Sequence, residues 1–148
     1  MLVALLASEA AFLVVGAHAM AVHGVPRATG DLDVWIRPDL QNAGRVWSAL
    51  LAFGAPVEAL NLSMQDLTKP GIVFQIGLPP RRVDILTEID GVTFERAWES
   101  RVVERIGDLD VPFLGRDSLL QNKRASGRAK DLTDIELLED RGGDQHSS

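Results

Sequence analysis

Apolar residues fall into short runs broken by glycine, proline and charge, and their spacing predicts alternating helices and strands. Residues 2–7 are good helix formers. Phe12-Leu13-Val14-Val15 is an unbroken apolar run ending at Gly16, which predicts a buried strand. Residues 17–22 predict a helix, stopped by Gly24 and Pro26. Leu32, Val34 and Ile36 then alternate with Asp33 and Trp35, the period of a strand. Pro38-Asp39 opens a helix to about Phe53, with Val46, Leu50 and Phe53 as its apolar stripe. Residues 72–76 and 82–86 read as strands separated by the turn-like Gly77-Leu78-Pro79-Pro80, and residues 94–98 as a helical turn. Residues 102–106 and 109–113 flank Gly107-Asp108 as a hairpin. Two helices close the chain, over 117–126 and 132–139. Asp131 caps the second, whose stripe is Leu132, Ile135 and Leu138. The expected fold is α/β (α+β), a mixed sheet with flanking helices. It forms one domain over residues 1–141, with a flexible polar tail over 142–148.

Composition narrows the chemistry. The 148 residues carry 46% hydrophobic side chains, a net charge of -6 and no cysteine. That length suits one domain, and that apolar content excludes intrinsic disorder. Without cysteine there are no disulfides, thiolate metal sites or thiol nucleophiles. The acidic balance argues against bulk electrostatic coating of nucleic acid, while leaving room for a local basic groove. The apolar N-terminus lacks the basic start of a secretory signal and is interrupted by Ser8-Glu9. The uncharged stretch 10–22 is shorter than the ~20 residues of a membrane span and contains His18. A cytoplasmic location with no membrane association is expected.

The most informative residues are Asp31-Leu32-Asp33, at the start of an apolar strand. Residues two apart in a strand share a face, so the carboxylates stand together and repel unless a cation shares them. Mg²⁺ suits one or two carboxylates with phosphates and waters; a solvated strand end is the plainer alternative. Asp84, flanked by Val83 and Ile85 in a later apolar strand, completes a three-acid cluster if the two strands are neighbours. Such a cluster can hold two metals. Taken alone, Asp84 reads more readily as an ordinary exposed strand residue paired with Arg82, and its value comes from the combination. Gly16 opens the strand-to-helix turn, where backbone can approach a phosphate.

This order of strand, glycine turn, helix and Asp-x-Asp resembles the DNA polymerase β-like nucleotidyltransferase superfamily, near its minimal nucleotidyltransferase and abortive-infection-type toxin branch. The matching stretch runs from Phe12 through Gly16, Pro26-Arg27-Ala28-Thr29 and Asp31-Leu32-Asp33 to Ile36, and the coarse likeness continues through Asp84 and residues 123–138. The resemblance implies a nucleotidyltransferase fold, with Asp31, Asp33 and Asp84 as catalytic metal ligands for Mg²⁺ (or Mn²⁺). It places Gly16 against a triphosphate, with Ala17, Arg27, Thr29, Lys123 and Arg128 as further nucleotide-binding positions. Arg27 either faces phosphate or stabilises its loop. Ala17 departs from the family's usual second small polar residue or glycine, removing one phosphate contact. Residues 123–131 concentrate basic side chains that either reach phosphate or form a solvated interhelix turn, with Lys123 the leading candidate.

The expected activity is transfer of a nucleoside monophosphate from a nucleoside triphosphate to a protein or RNA hydroxyl. A toxin–antitoxin role, with a cognate antitoxin as partner, follows by analogy alone. A catalytically degenerate nucleotide- or nucleic-acid-binding module of the same fold is the alternative, and a metal-dependent nuclease the runner-up enzyme. His18 and His23 do not share a helix face and read as buried or loop-supporting residues.

Overall fold

Backbone alternation sorts the apolar residues of the sheet onto two faces, and helices cover both. The computed structural model describes residues 1–28 and 30–146, those after Arg141 as backbone only. Its elements are α1 (Leu2–Ala7), β1 (Phe12–Val15), α2 (Gly16–Val22), β2 (Leu32–Ile36), α3 (Leu40–Phe53), β3 (Val73–Ile76), β4 (Val83–Leu86), α4 (Phe94–Glu99), β5 (Val102–Ile106), β6 (Leu109–Phe113), α5 (Arg116–Ser126) and α6 (Ala129–His146), with a 3₁₀ turn at Met64–Thr68. The six strands form one mixed sheet in the order β3-β4-β2-β1-β6-β5. β2 runs parallel to β4, and β1 parallel to β6; the other neighbours are antiparallel. The protein is a single-domain mixed α/β fold.

β1 is buried along its whole length, as an unbroken apolar run demands. Phe12 and Val14 join Val34, Ile36 and Ile85 on one face, beneath α1 and α3. Leu13, Val15 and Trp35 lie on the other, beneath α2, α4, α5 and α6. Trp35 meets Phe94 edge-on at 5.1 Å, and Phe94 stacks on Trp98, so this cluster is core rather than an open platform.

Asp39 caps α3 by accepting the Asn42 N–H, and Gly54 ends the helix in the left-handed region. Asn42 itself is buried. Its Oδ1 accepts the Ala11 N–H at 2.7 Å, and its Nδ2 donates to the carbonyls of Ala11 and Arg37 at 2.9 Å each. One side chain thus ties α3 to the end of the β1–β2 pair where β1 begins and β2 finishes.

Three expectations about helix faces and ends need correction. Phe53 belongs to the exposed side of α3, whereas Val46 and Leu50 are buried. In α6 the buried line is Asp131, Asp134, Ile135 and Leu138, and Leu132 points to solvent at 55% exposure. Asp131, Asp134, Ile135 and Leu138 cluster around one direction of the helix, whereas Leu132, one residue on from Asp131, is turned about 100° from it towards solvent. The helix also starts earlier than expected, at Ala129, and extends to His146, so residues 142–146 continue it. Adding residues to an existing helix costs little compared with nucleating one, and Gly142-Gly143 do not end it. Among the described residues, no helix is long and apolar enough to cross a membrane.

Candidate active site

Register brings the acids together. β2 and β4 pair in parallel with Asp33 beside Asp84, and Asp31 precedes Asp33 by two positions on the same face. On the opposite side of β2, Val15 of β1 pairs with Asp33, so the β1–α2 turn lies against it. Gly16 has φ +68°, and a Cβ there would collide with the Asp33 carboxylate. Glycine is therefore required twice at this position, by backbone conformation and by the acid next to it.

The three acids differ in environment. Burial, and then the neighbouring Asp84 carboxylate, pushes the Asp33 carboxyl above its ordinary value; Arg82 and His18 oppose the shift and Asp31 adds to it. Arg82, two residues before Asp84, donates from Nε to Asp84 Oδ1 at 2.8 Å and from Nη2 to Asp84 Oδ2 at 3.4 Å. Its Nη2 also lies 3.9 Å from Asp31 Oδ2, and its backbone N–H donates to Asp31 Oδ1 at 3.0 Å. A single guanidinium thus spans Asp84 in β4 and Asp31 just ahead of β2.

Among the described residues, no three histidine or acidic side chains converge as a ready-made metal centre. The donor set nonetheless fits Mg²⁺ or Mn²⁺. These ions take one or two carboxylates and fill the remaining positions with phosphate oxygens and water. Asp33 and its strand neighbour Asp84 supply that number of hard oxygen donors.

Beside Asp33 opens a cavity of about 380 Å³, within the range of small-molecule sites. Six of the expected site residues line it: Gly16, Ala17, Arg27, Asp33, Lys123 and Arg128. Asp31 and Asp84 do not, and Thr29 lies outside the described residues. Sequence reasoning missed Glu88 and Asp90, on the turn after β4, and Asn122 and Ser126 on α5. Isolated polar residues in loops and on helix faces carry no spacing signal, so only the fold reveals them.

The basic wall is tied to buried acids. Lys123 Nζ lies 3.4 Å from Asp131 and 3.1 Å from Asp134. Arg27 pairs with Asp134, and Arg128 Nε donates to Asp131 at 2.9 Å. Arg27 therefore does stabilise its loop, pinning the segment before β2 to α6 while still lining the cavity. Asp131 serves the helix start from inside its first turn, where its carboxylate accepts the Arg128 backbone N–H at 3.3 Å, rather than from the residue before it. Burial alone would raise the Asp131 carboxyl. The hydrogen bonds from Arg128 and the charges of Lys123 and Arg128 together outweigh burial and hold it below its ordinary value. His23 Nε2 lies 2.8 Å from the Leu114 carbonyl oxygen and supports its loop. Comparison with protein-family models and with curated protein sequences returns no match.

Proposed function

We propose that this protein is a metal-dependent nucleotidyltransferase of the polymerase β-like type, acting on a nucleoside triphosphate and a protein or RNA hydroxyl in the cytoplasm. The observation that supports this reading best is the Asp33–Asp84 register, with Asp33 lining a cavity that also takes in the Gly16 turn. Asp33 and Asp84 are the residues that would hold Mg²⁺ or Mn²⁺, which would neutralise phosphate charge and lower the pKa of an acceptor hydroxyl.

The chain's own groups divide the remaining work. Gly16 lets a ligand approach the backbone beside Asp33. Lys123, Arg128 and Lys130 line one wall of the cavity, where their donors would orient a triphosphate in exchange for the acids that Lys123 and Arg128 pair with. The acceptor oxygen forms a bond to the α-phosphorus as the bond to the pyrophosphate oxygen breaks. The hydroxyl proton passes to a carboxylate of the acidic group, and pyrophosphate leaves.

A second reading is a nucleotide-binding module without transfer activity. It is favoured by Ala17 at the turn and by the pairing of Arg27, Lys123 and Arg128 with Asp131 and Asp134. Incubation with labelled nucleoside triphosphates, Mg²⁺ or Mn²⁺ and candidate protein and RNA acceptors separates the two. Metal-dependent label transfer that is lost in Asp33→Asn supports the transferase. Saturable nucleotide binding without transfer supports the module.

A further inference from the structure

We infer that Arg82 is an internal counter-cation for the carboxylates, one that a triphosphate draws away, so that metal binding depends on nucleotide binding. The inference rests on the reading of Asp33 and Asp84 as ion ligands and assigns Arg82 a positioning role beside them.

The geometry of β4 sets up the competition. Arg82, the residue just before β4, lies two positions ahead of Asp84 within it, and its guanidinium folds back onto that carboxylate. Both Asp84 oxygens are engaged, at 2.8 and 3.4 Å. The same Nη2 reaches towards Asp31 at 3.9 Å. A metal ion and this guanidinium need the same carboxylate lone pairs, so one displaces the other. Arginine does not lose its proton under ordinary conditions; it can yield the site only by moving.

The side chain is 30% exposed and its planar fork fits phosphate oxygens as well as it fits carboxylate. It does not itself line the cavity, so it meets a phosphate there by swinging from Asp84 towards Asp33, which does. A triphosphate beside Asp33 offers that alternative anion at the moment an ion is needed. Asp31 does not depend on the guanidinium for its position, because the Arg82 backbone N–H holds its Oδ1 at 3.0 Å. A side-chain substitution therefore removes the competing cation and leaves this anchor in place.

Mn²⁺ binding, followed by electron paramagnetic resonance of the free ion, tests the inference. Without nucleotide, Arg82→Gln is expected to bind Mn²⁺ roughly fivefold or more tightly than the parent protein, the lower end of ordinary site-to-site coupling. Arg82→Lys keeps a cation but loses the fork, and falls between them. Addition of the four α,β-methylene nucleoside triphosphates, each in turn, strengthens Mn²⁺ binding by the parent more than by Arg82→Gln. Unchanged or weaker Mn²⁺ binding in a cooperatively folded Arg82→Gln, or equal nucleotide effects in both proteins, overturns the inference. So does a failure of every analogue to alter Mn²⁺ binding by the parent. If Arg82→Gln does not fold, Arg82→Lys decides, and Mn²⁺ affinity no higher than the parent's is the overturning result. Asp33→Asn separates the two levels: Mn²⁺ binding undiminished in that variant removes the ion site itself, whereas diminished binding leaves Arg82 as the point at issue.

Discussion

Asp33 is a carboxylate kept where its charge is unfavourable. Burial and the adjacent Asp84 raise its pKa, so the folded chain holds the Asp33 proton more firmly than the unfolded chain does. Where only the unfolded state has released that proton, stability falls as pH rises. The decline runs from the ordinary carboxylate range up through the raised Asp33 value. Asp33→Asn removes both the repulsion and this part of the pH dependence. Thermal unfolding at neutral pH is expected to give a melting temperature a few degrees above the parent's, with Mn²⁺ stabilising the parent and not the variant. A variant less stable than the parent would mean that the Asp33 charge is already compensated in the empty site.

At the scale of elements, α5 and α6 are joined by ion pairs where the periodicity suggested leucine packing. Asp131 and Asp134 occupy the buried face of α6, with side chains 1% and 3% exposed, against Lys123 at 13%. Asp134→Ala leaves Arg27 without its partner and Lys123 with Asp131 alone, and should cost about 3 kcal/mol in urea unfolding. Asp131 is held below its ordinary value, so its contribution is present above about pH 4 and fades as pH falls through the lowered folded value. Acid unfolding of Asp131→Asn should accordingly be shallower than that of the parent. The sequence showed the α6 helix but not this face. Hydrophobic spacing alone selected Leu132, because acids are expected outside, and only the convergence of Lys123, Arg27 and Arg128 makes their burial tolerable. The strands were more legible: an unbroken apolar run placed β1, alternation placed β2, and the Gly107-Asp108 turn placed β5 and β6, all at their observed bounds.

For the whole molecule, the decisive fact is a neighbour relation that local pattern does not encode. Asp84 lies far along the chain from Asp33, and its value depended on β4 lying beside β2; the parallel pairing supplies this. The Gly16 turn and Asp-x-Asp were readable because each is local. The role of Arg82 was only half readable: its pairing with Asp84 follows from spacing, its reach to Asp31 from the sheet. Strand order is held in turn by packing on the opposite face, where Asn42 fastens α3 to the chain beside β1 and β2. Asn42→Ala would leave the Ala11 N–H and two carbonyls without that partner. It is expected to lower unfolding free energy by about 1–3 kcal/mol in urea titrations.

The central claim, that Asp33 and Asp84 share an ion at the cavity mouth, is tested most directly by anomalous diffraction from crystals soaked with Mn²⁺ and an α,β-methylene nucleoside triphosphate. The account predicts one strong anomalous peak within about 2.0–2.4 Å of oxygens from both carboxylates. It also predicts the nucleotide's phosphates on the same ion and the Arg82 guanidinium off Asp84. A peak elsewhere, or nucleotide bound in the cavity with Arg82 still on Asp84 and no ion beside Asp33, would contradict it.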